Sequence, residues 1–276
     1  MMLGEAPTRA PADKVARSQG RLKAEPRSCD RPSEEDYRDG SGVFQTTLGE
    51  GEGMVKSVSS SFCSRHFSPA RLEHYLAECG GDLSAAMRLY EWNAELSAAF
   101  WESLSFLEVA LRNAIDREMT SIHARKSRSG HWIFDDALEL GRDAGGPSRH
   151  RQPYLDVSTA IRRDRSNGMP ISPGQVISEL PFGFWHQMVS KRQSFLWPDL
   201  AAAFPNSPRR SQALVHDPVS RLRTFRNRIG HHHRIWSIDS AGRYADLLVV
   251  AGFLDVDLRD WVESRSRIPH LIASRP

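Results

Sequence analysis

Residues 83–120 read LSAAMRLYEWNAELSAAFWESLSFLEVALRNAIDREMT. Ala85, Ala86, Leu89, Trp92, Asn93, Leu96, Ala99, Phe100, Leu104, Leu107, Leu111, Ala114 and Ile115 recur at three- and four-residue steps, the period of an amphipathic helix. Neither Gly nor Pro interrupts the stretch, so the spacing predicts one helix from Leu83 to about Thr120. A helix of this length with an apolar stripe packs in a helical bundle. Asp82 stands where an N-cap belongs. Gly80 and Gly81 end a preceding helix that starts at Ser68-Pro69 and carries Leu72, Tyr75, Leu76 and Cys79.

The same periodicity continues downstream. Residues 121–153 form a polar connection with an apolar island at His131-Trp132-Ile133-Phe134. Helices follow from Pro153 to Arg165 and from Ser172-Pro173 through Leu180. Pro181-Phe182-Gly183-Phe184-Trp185 reads as an aromatic turn leading into a short helix that ends near Val189. Trp197-Pro198 and Phe204-Pro205 mark breaks. A helix from Ser211 carries Leu214, Leu222, Phe225 and Ile229, with Pro218 able to kink or divide it. Two more run from about Asp239 and from Leu258 to about Arg265. No alternating strands joined by hairpin turns occur, so the predicted fold class is all-α. Residues 1–60, rich in Pro, Ser, Gly, Arg and Glu, read as a disordered arm, and residues 61–270 as the folded domain. Met54 is a plausible internal start.

Composition sets bounds. The 276 residues are 26% charged and 39% hydrophobic, ordinary for a globular protein. The net charge of +3 excludes a uniformly basic nucleic-acid binder. Among 37 basic residues five are Lys and 32 are Arg, which a GC-rich coding bias accounts for. Cys29, Cys63 and Cys79 lack any metal or disulfide spacing. With no apolar run long enough to span a bilayer and no apolar signal core, a cytoplasmic protein without a membrane partner is expected.

The chemistry-bearing groups gather at Arg226-Asn227-Arg228-Ile229-Gly230-His231-His232-His233. Arginine offers a fixed fork of donors to phosphate, histidine can give or take a proton near neutrality, and an Asn amide can orient a neighbour. Asn227 and His231, four apart, share one helix side, while Leu222, Phe225 and Ile229 hold the other. Gly230 is expected to loosen the last turn. Three adjacent histidines converge poorly on one ion, and no HxxxH or Asp partner accompanies them, so neither a metal nor another cofactor is expected. Glu108 and Arg112, four apart, can pair, and with Asn113 they are expected to form a buried polar network behind the motif helix. An ion pair of Arg226 with Glu108 is the plain structural alternative to a role in phosphate binding. The aromatic residues around 182–185 read as a core plug, and the run Arg162-Arg163-Asp164-Arg165 as a solvated face.

At these residues the chain resembles the Abi-like family of abortive-infection proteins, relatives of AbiD and AbiF within the HEPN superfamily. Arg-Asn-Arg-Ile-Gly-His-His is similar to that family's Arg-Asn-Arg-(Ile/Val)-Ala-His-His segment. The superfamily signature, an Arg separated from a His by four to six residues, is met by Arg226 with His231, His232 and His233. Leu107-Glu108-Val109-Ala110-Leu111-Arg112-Asn113 is similar to the family's Leu-Glu-x-x-Leu-Arg-Asn helix. Tyr90-Glu91-Trp92-Asn93 and Leu180-Pro181-Phe182-Gly183-Phe184-Trp185 also look like family segments. The likeness spans roughly residues 65–265. One departure stands out: His233-Arg234-Ile235-Trp236 occupies the place of the family's usual Glu-Pro-Ile.

The resemblance implies a HEPN-like bundle with long helix hairpins, forming a two-fold homodimer with the motif at the interface. It implies a metal-independent endoribonuclease of phage defence, with RNA as substrate and Arg226, Asn227, His231 and His232 as catalytic residues. It equally admits a non-catalytic HEPN module that binds RNA or protein, or a toxin governed by an antitoxin or a phage-derived trigger.

Overall fold

The computed structural model of the chain describes residues 59–135, 138–142 and 151–276. The expected arm, apart from its last two positions, lies outside the described residues. Among those described, eleven α-helices and four 3-10 turns account for the regular structure, with no strand, and the fold class is all-α.

Helix α3, Leu83–Arg125, is the axis of the molecule. The Asp82 carboxylate starts it by accepting from the backbone N–H groups of Ser84 (2.8 Å) and Ala85 (3.1 Å). Its buried stripe runs from Ala86 through Leu96, Phe100, Leu104, Leu107, Leu111 and Ile115. The helix extends beyond the expected end at Thr120 because Ile122 and His123 continue the buried face. Helices α1 (Ser60–His66) and α2 (Pro69–Glu78) precede it. Gly80 and Gly81 take left-handed φ of 61° and 87° in the corner between α2 and α3, where a Cβ would strain the backbone.

The other helices pack around this axis. They are α4 (Gln152–Ser166), α5 (Pro173–Glu179), α6 (Phe182–Met188), α7 (Trp197–Leu200), α8 (Gln212–Gly230), α9 (Ser240–Leu254), α10 (Val256–Arg265) and α11 (Ile268–Ala273). Helix α8 lies against α3 and α9, and the Phe100 and Phe225 rings meet edge to face at 4.7 Å. Asp246 of α9 holds both Arg221 of α8 and, at 3.0 Å, Arg243 of its own helix. Trp92 Nε1 donates to the Leu271 carbonyl at 2.7 Å and ties α11 to α3.

Several expectations are refined. Pro218 neither divides nor ends α8: it is buried inside a continuous helix. Phe182 already belongs to α6, and Phe182, Phe184 and Trp185 are buried as the core plug that the sequence suggested. Trp132 and Ile133 of the apolar island enter the core through a 3-10 turn. Helices α1 and α11 were not foreseen, being too short for periodicity to reveal. In the Arg162–Arg165 run the arginines are exposed, but Asp164 is buried and accepts from Gln175 Nε2 at 3.2 Å.

Candidate functional site

The motif occupies the last turn of α8. Leu222, Phe225 and Ile229 are buried against α3 and its neighbours, as their spacing requires, while Asn227, His231, His232 and His233 are exposed. His231 caps the helix. The N–H of His232 then donates to the Ile229 carbonyl (2.9 Å) and that of His233 to the Arg228 carbonyl (2.8 Å). These two bonds make a Schellman closure. The left-handed position in it falls on His232, with φ of 54°, and not on a glycine.

Gly230 does not open the last turn as its place in the sequence suggested, since no left-handed φ falls on it. It lies inside the helix, and a Cβ built on it would stand 3.6 Å from the Trp101 ring. That is ordinary contact distance, and the indole lies beside the motif, where the Arg226 guanidinium carbon sits 4.8 Å from the ring centroid. Arg226 Nε is also 4.0 Å from Glu108 Oε2 and is shielded from solvent without a hydrogen-bond partner. Burial raises the Glu108 carboxyl above its ordinary value, and the charges of Arg226 and Arg112 oppose the rise.

The expected polar network is smaller than foreseen. Glu108 and Arg112 are half-buried, but Asn113 is exposed. Asn113 follows the buried Leu111 by two residues, about 200° around the helix, which turns it away from the core.

After the histidines the chain is fixed by residues that sequence reasoning did not assign to the site. The buried Asn93 side-chain oxygen accepts the backbone N–H groups of Ile235 (2.8 Å) and Trp236 (3.2 Å). Arg71 of α2 donates to the His232 carbonyl at 2.7 Å, and Arg228 to the Arg234 carbonyl at 2.9 Å. The segment 232–236, where the family pattern differs, is thereby held from three directions. The Tyr90-Glu91-Trp92-Asn93 stretch already contained the signal for Asn93.

Several cavities flank this helix end, and they divide the motif. A cavity of about 820 Å³ between α4, α6 and α8 takes in Arg226 and Asn227 together with Asp156, His186, Lys191, Arg192, His216 and Arg223. A second, of about 720 Å³, is lined by Tyr90, Asn93, Trp101, Gly230, His232 and His233. His231 lines neither, and its ring lies 6.0 Å from that of His233.

The first cavity holds two histidines that the sequence reading passed over. The His186 and His216 rings are 5.3 Å apart. His186 is pushed down to about 4 by burial first, then by the charges of Arg223 and His216. His216 Nδ1 is 3.0 Å from Asp217 Oδ1. The two residues lie thirty positions apart on different helices, so only the fold brings them together.

Among the described residues no three His, Cys, Asp or Glu side chains are grouped to hold a metal ion, and no helix is long and apolar enough to cross a membrane. No protein-family model, curated protein or solved structure matches this chain.

Proposed function

We propose that the chain is a metal-independent endoribonuclease of the Abi-like, HEPN type that acts in phage defence by abortive infection. The observation that carries this reading is the closing turn of α8, where Arg226 and Asn227 are followed, one turn on, by three exposed histidines. One of His231 or His232 removes the 2′-hydroxyl proton of RNA. The freed oxygen attacks the adjacent phosphorus, and the bond from phosphorus to the 5′-oxygen breaks. A histidine, supplied by the second copy of a homodimer, gives that leaving oxygen its proton. Arg226 binds the phosphate and opposes the charge that grows on it, while Asn227 orients the histidine. The products are a 2′,3′-cyclic phosphate and a 5′-hydroxyl. An antitoxin or a phage-derived trigger would hold such an activity in check or release it.

The test is incubation of the purified chain with RNA in EDTA, beside an Arg226→Ala variant. Cleavage by the parent with the stated ends, and its loss in the variant, is expected. Activity that vanishes in EDTA and returns only with a metal would make the histidines ligands and end this mechanism.

A second reading is a binding module without chemistry. The contacts of Arg226 with Glu108 and Trp101 favour it, since they give the arginine a structural task within its own chain. Such a module retains RNA and never shortens it.

A further inference from the structure

The cavity between α4, α6 and α8 collects positive charge without balancing it. Lys191, Arg192, Arg223 and Arg226 line it, and among the described residues Asp156 is its one carboxylate. Lys191, Arg192 and Arg223 make no ion pair among the described residues. Asp156 is already engaged: Gln152 donates to it at 2.7 Å, and burial holds its carboxyl above the ordinary carboxylate range. The cavity therefore gathers four cations around a single described carboxylate.

The polar groups have the same bias. His186 Nε2 is closed off from solvent and has no hydrogen-bond partner. The Asp217 carboxylate fixes the His216 ring through Nδ1, leaving Nε2 as its other polar atom. Gln152, Gln187 and Asn227 add amides that can donate. Phe182 is buried beneath the floor, so no exposed aromatic face offers itself to a base.

We propose that this cavity is a binding site for a phosphate ester of nucleotide size, gripped by Arg223, Arg226, Lys191 and Arg192, with the His186 and His216 rings beside the phosphate. Arginine forks and lysine match phosphate oxygens in geometry and charge. A volume of about 820 Å³ exceeds what a lone phosphate fills and falls within the range of about 300–1,000 Å³ usual for small-ligand sites. A bound phosphate supplies the missing counter-charge. It also offsets the repulsion between His186 and Arg223 that helps keep the imidazole neutral. Recognition of the phosphate and not of a base makes the site tolerant of sequence. The site goes beyond the ribonuclease reading and does not need it, because binding here involves no bond cleavage.

Calorimetric titration distinguishes the sources of the phosphate. The probes are a 2′-O-methyl trinucleotide, which cannot be cleaved through its 2′-position, adenosine monophosphate, and adenosine without phosphate. Two variants accompany the parent. Arg223→Ala removes an exposed cation and should leave the fold intact. Gly183→Glu places a carboxylate beside Arg223, since a Cβ at Gly183 would stand 3.6 Å from its Nε. Arg162→Ala, an exposed α4 arginine that does not line the cavity, is the control. The parent and Arg162→Ala should bind the trinucleotide or the monophosphate and ignore adenosine. Arg223→Ala should weaken binding about 10- to 100-fold, as loss of a charge-assisted contact does. Gly183→Glu should abolish it, and added salt should weaken it in the parent. Preference for the trinucleotide assigns the site to a nucleic-acid strand, and preference for the monophosphate to a free nucleotide. Failure of the parent to bind either phosphate, or equal binding by parent, Arg223→Ala and Gly183→Glu, overturns the proposal. Because the probe cannot be cleaved, a chain that lacks ribonuclease activity can still pass this test.

Discussion

His232 holds a backbone conformation that glycine would adopt freely, while Gly230, two residues before it, sits in ordinary helix. The natural order of the two residues is therefore the reverse of what stability prefers. Gly230→Ala adds a methyl group at ordinary contact distance from Trp101 and gains helix propensity, so it should stabilise the chain by about 0.5–1 kcal/mol. His232→Gly relieves left-handed strain and should contribute a similar amount, about 0.5–1 kcal/mol. Each should raise the melting temperature by about 1–4 °C in a thermal scan. If His232 takes part in RNA cleavage, the second variant gains stability while losing rate, and the two scans side by side separate strain from function. A second residue-scale expectation concerns acid. The folded-state pKa of His186 lies near 4, below its ordinary 6.5, so folding favours the neutral ring. The associated stability is complete above pH 6.5 and is lost as pH falls towards 4. The full shift corresponds to about 3 kcal/mol at most, and solvent screening of a half-buried ring lowers it. His186→Gln should flatten stability between pH 6.5 and 4, and an unchanged acid slope in that variant would refute the assignment. The exposure of Asn227 and His231 opposite Leu222, Phe225 and Ile229 was legible from a 100° step. The closeness of Gly230 to the Trp101 ring was not, because that ring comes from far away in the sequence.

The element that positions the motif is the joint between α8 and the segment that follows it, not α8 alone. Asn93, from the middle of α3, accepts two N–H groups of that segment, and Ile235 between them is fully buried. Asn93→Ala leaves both donors without a partner and should cost about 2–4 kcal/mol, read as a lower denaturant midpoint. Asn93→Asp keeps an acceptor in place and should lose less. Equal losses in the two variants would assign the effect to packing. Elements were readable where a cap or a long stripe marks them. Asp82 fixed the start of α3, and Asp239 that of α9, where it accepts from Gly242 N at 2.8 Å. The end of α3 was set five residues short because residues 121–125 carry one large apolar side chain, and only tertiary packing shows that Ile122 and His123 are buried. Short helices such as α1 and α11 complete too few turns for a period to emerge. Likewise Glu108 lies 4.0 Å from Arg226 and Arg112 is half-buried, but Asn113, one step further round, turns to solvent.

For the whole molecule, the net charge of +3 conceals a local concentration of cations in the cavity beside α8. Overall charge thus excluded a uniformly basic binder and gave no hint of this site, whose members come from α6, α8 and the turn between α6 and α7. The all-α class was legible because it depends on periodicity along the chain. Which side chains share a cavity depends on packing between helices, and the two-histidine cluster was hidden for that reason. The division of the motif between two cavities bears on assembly. On the ribonuclease reading, Arg226 and Asn227 face one space and His232 and His233 another, while His231 stands exposed at the helix end. On that reading an isologous dimer would bring the exposed histidines of one copy to the arginine of the other. Mixing Arg226→Ala and His231→Ala chains, each inactive alone, tests this. If a site takes its arginine from one copy and its histidine from the other, each mixed dimer has one intact site and one doubly altered site. Random pairing makes half of the dimers mixed, so about a quarter of the parent's cleavage should return. If both groups act within one copy, every site in the mixture carries one lesion and no activity returns. A monomeric mass in sedimentation across micromolar concentrations, with the parent still cleaving RNA, would reject the dimeric site altogether and leave each chain to complete the chemistry alone.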